Sequence, residues 1–129
     1  MQNDPISDAL SKILNAEKSG KGQVIIKPVS KLLMKILDLL QTNRYVGSYQ
    51  VIEDSKGRYI ILNLVHAINH IQAIKPRFPV KLEDYEKYEK RFLPANDFGI
   101  IIVSTNQGLM THVEAKQKRL GGKLIAYCY

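Results

Sequence analysis

The first hydrophobic pattern along the chain is that of an amphipathic helix. Asp4 is placed to cap its first turn, and Pro5 suits the first helical position because its missing N–H has no intrahelical partner there. The turn-forming stretch Ser19-Gly20-Lys21-Gly22 predicts where the helix ends. The apolar residues that share one helical face are Ile6, Ala9, Leu10, Ile13 and Leu14.

A short strand and a second helix are predicted next. Residues 24–26 have the pattern of a buried strand, and Pro28 lies just beyond it, where a missing hydrogen-bond donor does least harm. Ser30 is placed to cap a helix over residues 31–41, whose dense apolar residues predict that most of it is buried. Asn43 is predicted to end this helix in the left-handed conformation.

A β-hairpin completes the first half of the chain. Residues 45–52 and 59–65 alternate as strands do, and Asp54-Ser55-Lys56-Gly57 between them has the composition of a turn. The order helix–strand–helix–strand–strand predicts a compact first lobe over residues 1–65.

Residues 66–129 form the predicted second lobe, which begins with a segment rich in proline. Pro76 and Pro79 confine residues 71–80 to an edge strand or a loop. Residues 83–92 predict a short surface helix with mostly solvated charges. One aromatic stripe runs along this helix and consists of Tyr85, Tyr88 and Phe92.

Two strands and a capped helix are predicted near the end of the chain. Residues 100–103 and 124–129 are apolar strands, and Thr111 with Glu114 matches the capping box of a short helix. Gly121 is predicted to end that helix. The cations near its C-terminus, where the helix dipole favours them, are Lys116, Lys118 and Arg119. The second lobe is therefore mainly β with short helices, and the fold class is mixed α/β of the α+β kind.

Composition is that of a globular domain. The chain has 129 residues, of which 45% are hydrophobic and 24% charged, and this length fits one domain or two small lobes. No apolar run reaches the roughly 18 residues that cross a membrane. The acidic start lacks the pattern of a secretory signal, and the single Cys128 excludes an intrachain disulfide. These features favour an intracellular protein with an inert, buried thiol.

The charge balance points to a polyanionic partner. The chain has 19 Lys and Arg against 12 Asp and Glu, which gives a net charge of +7, and its pI is about 9.5. Such a balance in a small domain is typical of nucleic-acid binding. A basic soluble protein without a nucleic-acid partner is the alternative.

A cluster of neutral polar residues follows the strand at 100–103. Hydroxyl and amide side chains of this size approach base edges and 2′-hydroxyls closely, as reading an irregular RNA helix requires. Lysines reach phosphates but carry little sequence information. The alternative is a turn whose hydroxyls satisfy local backbone groups. The cluster consists of Ser104, Thr105, Asn106, Gln107 and Gly108, the last of which permits close approach of the backbone.

Other candidate sites are weaker. His66 and His70 are four residues apart, but the zinc-protease pattern requires a glutamate where Ala67 stands. The stretch Gly121-Gly122-Lys123 lacks the serine or threonine of a phosphate-binding loop. No metal site and no cofactor are therefore expected. Lys75-Pro76-Arg77-Phe78-Pro79 either lines an RNA backbone, with Phe78 in the core, or is a solvated edge strand.

Three segments resemble the S-eight family of small-subunit ribosomal proteins. They are NDPISDALSKILNA, AIKPRFPVKLEDYEKYEKRFLPANDFGI and the ending IIIVSTNQGLMTHVEAKQKRLGGKLIAYCY. The middle segment is similar to the archaeal and eukaryotic branch. The resemblance covers almost the whole chain, in order. Two departures stand out: Asn106 occupies a position that is often Ser or Thr, and His70-Ile71-Gln72 stands where near relatives would have Lys-Cys-Gly.

The resemblance implies a non-enzymatic constituent of the small ribosomal subunit, located on cytoplasmic ribosomes. Such a protein binds the central domain of small-subunit ribosomal RNA beside neighbouring ribosomal proteins. In bacteria, relatives also bind their own operon messenger RNA, which is a further candidate partner here.

By its motifs, the resemblance also assigns site residues. Ser104, Thr105, Asn106 and Gly108 would make base and sugar contacts, and Gln107 lies among them. Met110 would pack behind the loop or against RNA. Further RNA-binding candidates are Asp4, Lys27, Lys31, Lys75, Arg77, Lys116, Gly121 and Gly122.

Two rival functions remain open from the residues alone. One is a small basic nuclease or metal-dependent hydrolase that uses His66, His70 and a carboxylate. The other is a free-standing RNA-binding regulator of translation.

Overall fold

A computed structural model of the chain describes residues 4–27, 29–95 and 98–129 and contains helices and antiparallel strands. One unit of the fold ends at Ile68, and the other runs from Asn69 to Tyr129. The predicted mixed fold of the α+β kind is confirmed. The position predicted for Pro28 lies outside the described residues.

The first unit has the predicted order of elements. The elements are α1 (Pro5–Lys18), β1 (Gln23–Ile26), α2 (Lys31–Thr42), β2 (Val46–Asp54) and β3 (Gly57–Leu64). In the described part of this unit, the strands form an antiparallel sheet in the order β1-β3-β2, with β1 and β2 at its edges. Residues 55 and 56 form the turn of the predicted hairpin, and Gly57 follows with a φ of 125°.

Both predicted helix caps are present in this unit. Asp4 Oδ1 accepts hydrogen bonds from the backbone N–H groups of Ile6 at 3.1 Å and Ser7 at 3.2 Å. Ser30 Oγ accepts a hydrogen bond from Leu33 N at 3.1 Å. Each cap satisfies donors that the first helical turn leaves without an intrahelical partner.

Two local predictions in the first unit are wrong. Asn43 has a φ of −90°, and its Nδ2 donates to Leu39 O at 2.8 Å; the left-handed residue is Arg44, with a φ of 65°. The side-chain amide of Asn43 bonds to the last helical turn while its backbone is not left-handed. The next residue, Arg44, adopts the left-handed conformation instead. Strand β1 is not buried throughout, because Ile26 is buried but Ile25 is 56% exposed. A strand alternates its side chains between two faces of the sheet.

The elements of the second unit are β4 (Ile71–Ala73), β5 (Pro79–Val80), a 3-10 turn (Leu82–Asp84), α3 (Tyr85–Phe92), β6 (Ile100–Thr105), β7 (Gly108–Thr111), α4 (His112–Gln117) and β8 (Gly122–Cys128). Over the residues described in this unit, the strands form one five-stranded antiparallel sheet. Strand β6 lies between β7 and β8, while β4 and β5 both pair with the opposite edge of β8. The two short strands confirm an edge role for the proline-rich segment.

Helix α3 is more than a surface helix. The side chain of Tyr85 is fully buried, and its hydroxyl donates to Leu120 O at 2.7 Å. Burial raises the pKa of this hydroxyl above its ordinary value. The predicted solvated face does exist, because Glu86 and Lys90 form an exposed ion pair at 3.5 Å. The buried residues that form the core of this unit are Ile74, Val80, Tyr85, Leu93, Ile101, Val103, Met110, Ala115 and Leu124.

The end of α4 also differs from the prediction. The helix begins at the predicted cap, where Thr111 Oγ1 accepts a hydrogen bond from Glu114 N at 3.2 Å. Its termination is made by Arg119, with a φ of 60°, and by the bond from Leu120 N to Ala115 O at 2.9 Å. Gly121 does not end the helix, because the left-handed residue comes two positions earlier.

Candidate nucleic-acid interface

The neutral polar cluster forms the tip of a β-hairpin. Strands β6 and β7 are closed by the pair Thr105 and Gly108, so Asn106 and Gln107 form a two-residue loop. Strand β7, which was not predicted, lies between this loop and helix α4. Gly108 has a φ of 114°, and no atom lies within 4 Å of where a Cβ would be. Glycine is needed here for its backbone conformation, and the space beside it is open.

Thr105 fixes the shape of this loop. Its hydroxyl donates to Gly108 O at 2.8 Å and accepts a hydrogen bond from Gln107 N at 3.1 Å. The alternative that the hydroxyls of the cluster satisfy local backbone groups therefore holds for Thr105, whose hydroxyl bonds across the turn. Ser104, Asn106 and Gln107 are exposed. The loop thus presents three neutral polar side chains on a braced backbone.

Met110 lies behind the hairpin. Its side chain is buried in the core of the second unit, and its Sδ is 4.0 Å from Thr105 Oγ1. Of the two roles considered for Met110, packing behind the loop is the one that this position favours.

The glycine pair at the start of β8 allows close packing beside the hairpin. A Cβ on Gly122 would overlap the carbonyl oxygen of Ser104 and lie 3.1 Å from Val103 Cγ1. A Cβ on Gly121 would lie 2.5 Å from Val80 O. Both glycines therefore serve the packing of β8 between its neighbours. Whether they also contact RNA stays a prediction.

Lys123 was not predicted as a site residue from the sequence. It pairs with Ser104 across β6 and β8, and its side chain is exposed. This pairing places a cation next to the neutral cluster. Nothing in the local sequence signals it, since the two residues lie on separate strands.

A buried histidine, which was not predicted from the sequence, bonds to strand β6 of the hairpin. His112 is 2% exposed, and its Nδ1 accepts a hydrogen bond from Ile101 N at 3.0 Å. Because Nδ1 is the acceptor, the ring proton is on Nε2, which lies 3.1 Å from Glu89 Oε1. Glu89 also pairs with Lys116. His112 thus joins α4 to β6 and α3, directly after β7 ends.

The remaining cation candidates of the second unit are exposed to different degrees. Lys75 and Arg77 are exposed on the connection between β4 and β5, while Phe78 packs partly buried against the core, as predicted. The side chain of Lys116 is 40% exposed and is partly neutralised by Glu89. Lys116 is therefore the weaker candidate for a phosphate contact, and the contacts predicted for Lys75 and Arg77 stay predictions.

The candidates of the first unit surround its two helix starts. Asp4 caps α1, and Lys31 is the exposed first residue of α2. Lys27 is exposed, with its Nζ 5.4 Å from the centre of the Tyr59 ring. Asp4 therefore has a structural role, and its predicted RNA contact stays a prediction.

The two histidines considered for a hydrolase belong to different units of the fold. His66 is exposed with a φ of 60°, and His70 Nε2 lies 3.0 Å from Gln72 Oε1. Within residues 4–27, 29–95 and 98–129, no three His, Cys, Asp or Glu side chains are grouped to hold a metal ion. Cys128 is buried, as predicted.

Comparison with known proteins decides the family. A profile of the family described as ribosomal protein S8 matches residues 4–129. The chain belongs to the ribosomal protein S8 family. It is 46% identical over 129 residues to the small ribosomal subunit protein uS8 of the archaeon Thermoplasma acidophilum, with 100% of both chains covered. The predicted resemblance, including its archaeal type, is confirmed.

Membership in the S8 family establishes the general role of the chain. It is a structural, non-enzymatic constituent of the small ribosomal subunit that binds ribosomal RNA beside other ribosomal proteins. It acts in translation and is located in the cytoplasm as part of the ribosome. In the part of the chain that the structure describes, no helix is long and apolar enough to cross a membrane. The hydrolase alternative is wrong.

Proposed function

We propose that the tip of the β6–β7 hairpin reads one folded RNA in the central domain of small-subunit ribosomal RNA, within a carboxy-terminal recognition lobe over residues 66–129. The observation that carries this proposal is a hydrogen-bonded loop with exposed neutral groups. Thr105 bridges the loop, and Gly122 allows β8 to pack against the base of the hairpin. A braced loop loses little conformational entropy when it binds.

The exposed side chains of the loop supply the specificity. Asn106 and Gln107 each offer a carbonyl oxygen and an amide, and Ser104 offers a hydroxyl. These groups suit base edges and 2′-hydroxyls in the shallow minor groove of an irregular RNA helix. The open backbone at Gly108 lets RNA approach without meeting a side chain.

The cations supply attraction and orientation. Lys123 lies beside Ser104, and the exposed Lys75 and Arg77 follow β4 in the same unit. In the first unit, Lys27 and Lys31 are exposed near the start of α2. Contacts from these side chains to phosphates would strengthen binding to any RNA and would position the loop.

Replacement of Asn106 tests the hairpin as the reading element. Asn106→Ala is expected to weaken binding to a folded central-domain RNA fragment by roughly 1–2 kcal/mol, the scale of hydrogen bonds lost at a closely packed site. Binding to an RNA of scrambled sequence should change little, because phosphate contacts remain. Filter binding or fluorescence anisotropy at one fixed salt concentration measures both affinities.

Gln117→Ala is the matched control for this experiment. Gln117 is an exposed neutral amide in the same unit, at the end of α4 and outside the hairpin. It should leave both affinities unchanged. Equal losses on the folded and scrambled RNAs after Asn106→Ala would contradict the proposal.

The protein's own operon messenger RNA is a second candidate partner, which the family resemblance suggests. If the hairpin reads the same RNA shape in both molecules, an operon leader should displace the labelled central-domain fragment from the protein. The displacement should weaken in parallel in the Asn106→Ala variant. Failure of the leader to compete would exclude this partner and leave the ribosomal site untouched.

A further inference from the structure

Aromatic side chains of the second unit form a continuous row. Ring centres are 5.7 Å apart between Phe78 and Tyr88, 6.2 Å between Tyr88 and Phe92, and 5.1 Å between Phe92 and Tyr127. The row ends at Tyr129, whose ring centre is 6.3 Å from that of Tyr127. The angles between neighbouring ring planes are 27°, 10°, 29° and 17° in the same order. The row is called the aromatic platform below.

The platform has one side on the core and is partly open to solvent. Its near-parallel rings are more widely spaced than a face-to-face stack, so they are offset from one another. All of them are partly buried and pack against the core of the second unit. The platform therefore combines a fixed position with partly accessible aromatic surface.

Cations lie over the platform. The guanidinium of Arg91 is 5.1 Å from the centre of the Phe78 ring and 5.3 Å from that of Phe92. Lys87 Nζ is 5.4 Å from the centre of the Tyr88 ring. Both cations are exposed residues of α3. Aromatic surface combined with cations matches the chemistry of nucleotides, which present flat bases beside phosphates.

The carboxylates of α3 do not cancel these cations. Glu86 pairs with Lys90 at 3.5 Å, and Glu89 is engaged by His112 and Lys116. Both carboxylates of α3 are therefore engaged by cations other than Arg91 and Lys87. Exposed cations of this kind attract a polyanion.

We propose that the aromatic platform binds unpaired bases of RNA by stacking, with Arg91 and Lys87 directed to the adjoining phosphates. This second contact extends the RNA-binding role of the chain to a surface built from different elements than the hairpin. Stacking is tolerant of sequence, because every base has an aromatic face. The platform would thus hold a single-stranded segment while the hairpin reads a folded one.

The test uses the full chain and a labelled, single-stranded oligoadenylate. The double variant Tyr88→Leu with Phe92→Leu keeps the apolar packing and removes two rings. It is expected to weaken oligoadenylate binding about tenfold or more, the scale of one lost base–aromatic stack. Binding of inorganic polyphosphate, which has charge but no bases, should be unchanged. Oligodeoxyadenylate should respond as oligoadenylate does.

Controls separate the platform from general effects. Tyr59→Leu is the matched control, because Tyr59 is a partly buried tyrosine of the first unit that also has a lysine over its ring. It should not weaken oligoadenylate binding. Thermal melts verify folding, and the single variant Tyr88→Leu serves if the double variant is unstable. Gln117→Ala, at an exposed residue outside both surfaces, should leave oligoadenylate affinity unchanged. The hairpin is tested on a folded RNA and the platform on oligoadenylate, so the two proposals can fail independently.

Two results would overturn the proposal. The first is unchanged oligoadenylate binding by the folded double variant. If that variant also fails to join reconstituted small subunits, the platform is instead a contact for a ribosomal protein. The second is an equal loss with polyphosphate, which would mean that only charge was affected.

Discussion

Replacing Gly122 by alanine should separate the packing of β8 from the chemistry of the hairpin. The added Cβ would overlap the carbonyl oxygen of Ser104 and lie 3.0 Å from its carbonyl carbon. It would also lie 3.1 Å from Val103 Cγ1. Two of these atoms belong to the backbone of β6, so rotation of a side chain cannot relieve the contact. The two strands must move apart at the base of the hairpin.

The magnitude follows from the size of this overlap. Restoring ordinary contact requires a local separation on the order of 1 Å, and overpacking of this kind costs about 1–3 kcal/mol. Loss of one ladder hydrogen bond adds about 1 kcal/mol. The free energy of unfolding should therefore fall by about 2–4 kcal/mol, which lowers Tm by roughly 10 °C in a chain of this size. Affinity for the folded RNA should fall too, because the loop loses one of its supports.

Thermal and guanidinium unfolding followed by circular dichroism measure the stability change, and RNA binding is measured well below Tm. Gly22→Ala is the matched control, since no atom lies within 4 Å of its Cβ position and its φ is not in the left-handed region. It should stay within about 0.5 kcal/mol of the parent. The reasoning is wrong if Gly122→Ala unfolds at the same temperature as Gly22→Ala.

Three further predictions test other parts of the structure. His112→Ala should lower the free energy of unfolding by about 1–3 kcal/mol in guanidinium, because it leaves Ile101 N without its acceptor; an unchanged midpoint would refute this. Burial, followed by the hydrogen bond and charge of Asp38, raises the pKa of Tyr49 to about 12. The neutral hydroxyl of Tyr49 therefore contributes fully to the free energy of unfolding below pH 10, and this contribution is lost as the pH rises from about 10 to 12. Ultraviolet titration should show this late ionisation, and Asp38→Asn should bring it to lower pH. Arg77→Ala should weaken folded and scrambled RNA alike and reduce the log–log salt slope by roughly 0.7–0.9 if it makes one phosphate contact, whereas a loss confined to the folded RNA would refute that role.

Helix starts, and the order of elements in the first unit, were predictable from the chain alone. The caps at Asp4, Ser30 and Thr111 each bond to a backbone N–H no more than three residues away. Their signals therefore lie within a single turn of helix. The family resemblance was predictable for a similar reason, since it rests on contiguous segments of sequence.

Local signals were less reliable where a distant neighbour changes the outcome. Gly121 follows a helix and has the composition of its end, yet Arg119 makes the reversal. The glycine is needed because a Cβ there would lie only 2.5 Å from Val80 O. That contact comes from strand β5, which is distant from Gly121 in the sequence, so the residues around Gly121 do not predict it.

The sequence by itself determined the family, the helix caps and the neutral composition of the loop, because these depend on residues that are close together in the chain. Only the tertiary structure placed Lys123 beside Ser104, His112 beneath Ile101 and the aromatic rings in one row. These neighbours are set by the register of strands and by helix packing. Such long-range contacts form only when separate segments fold together, so spacing along the sequence does not encode them locally.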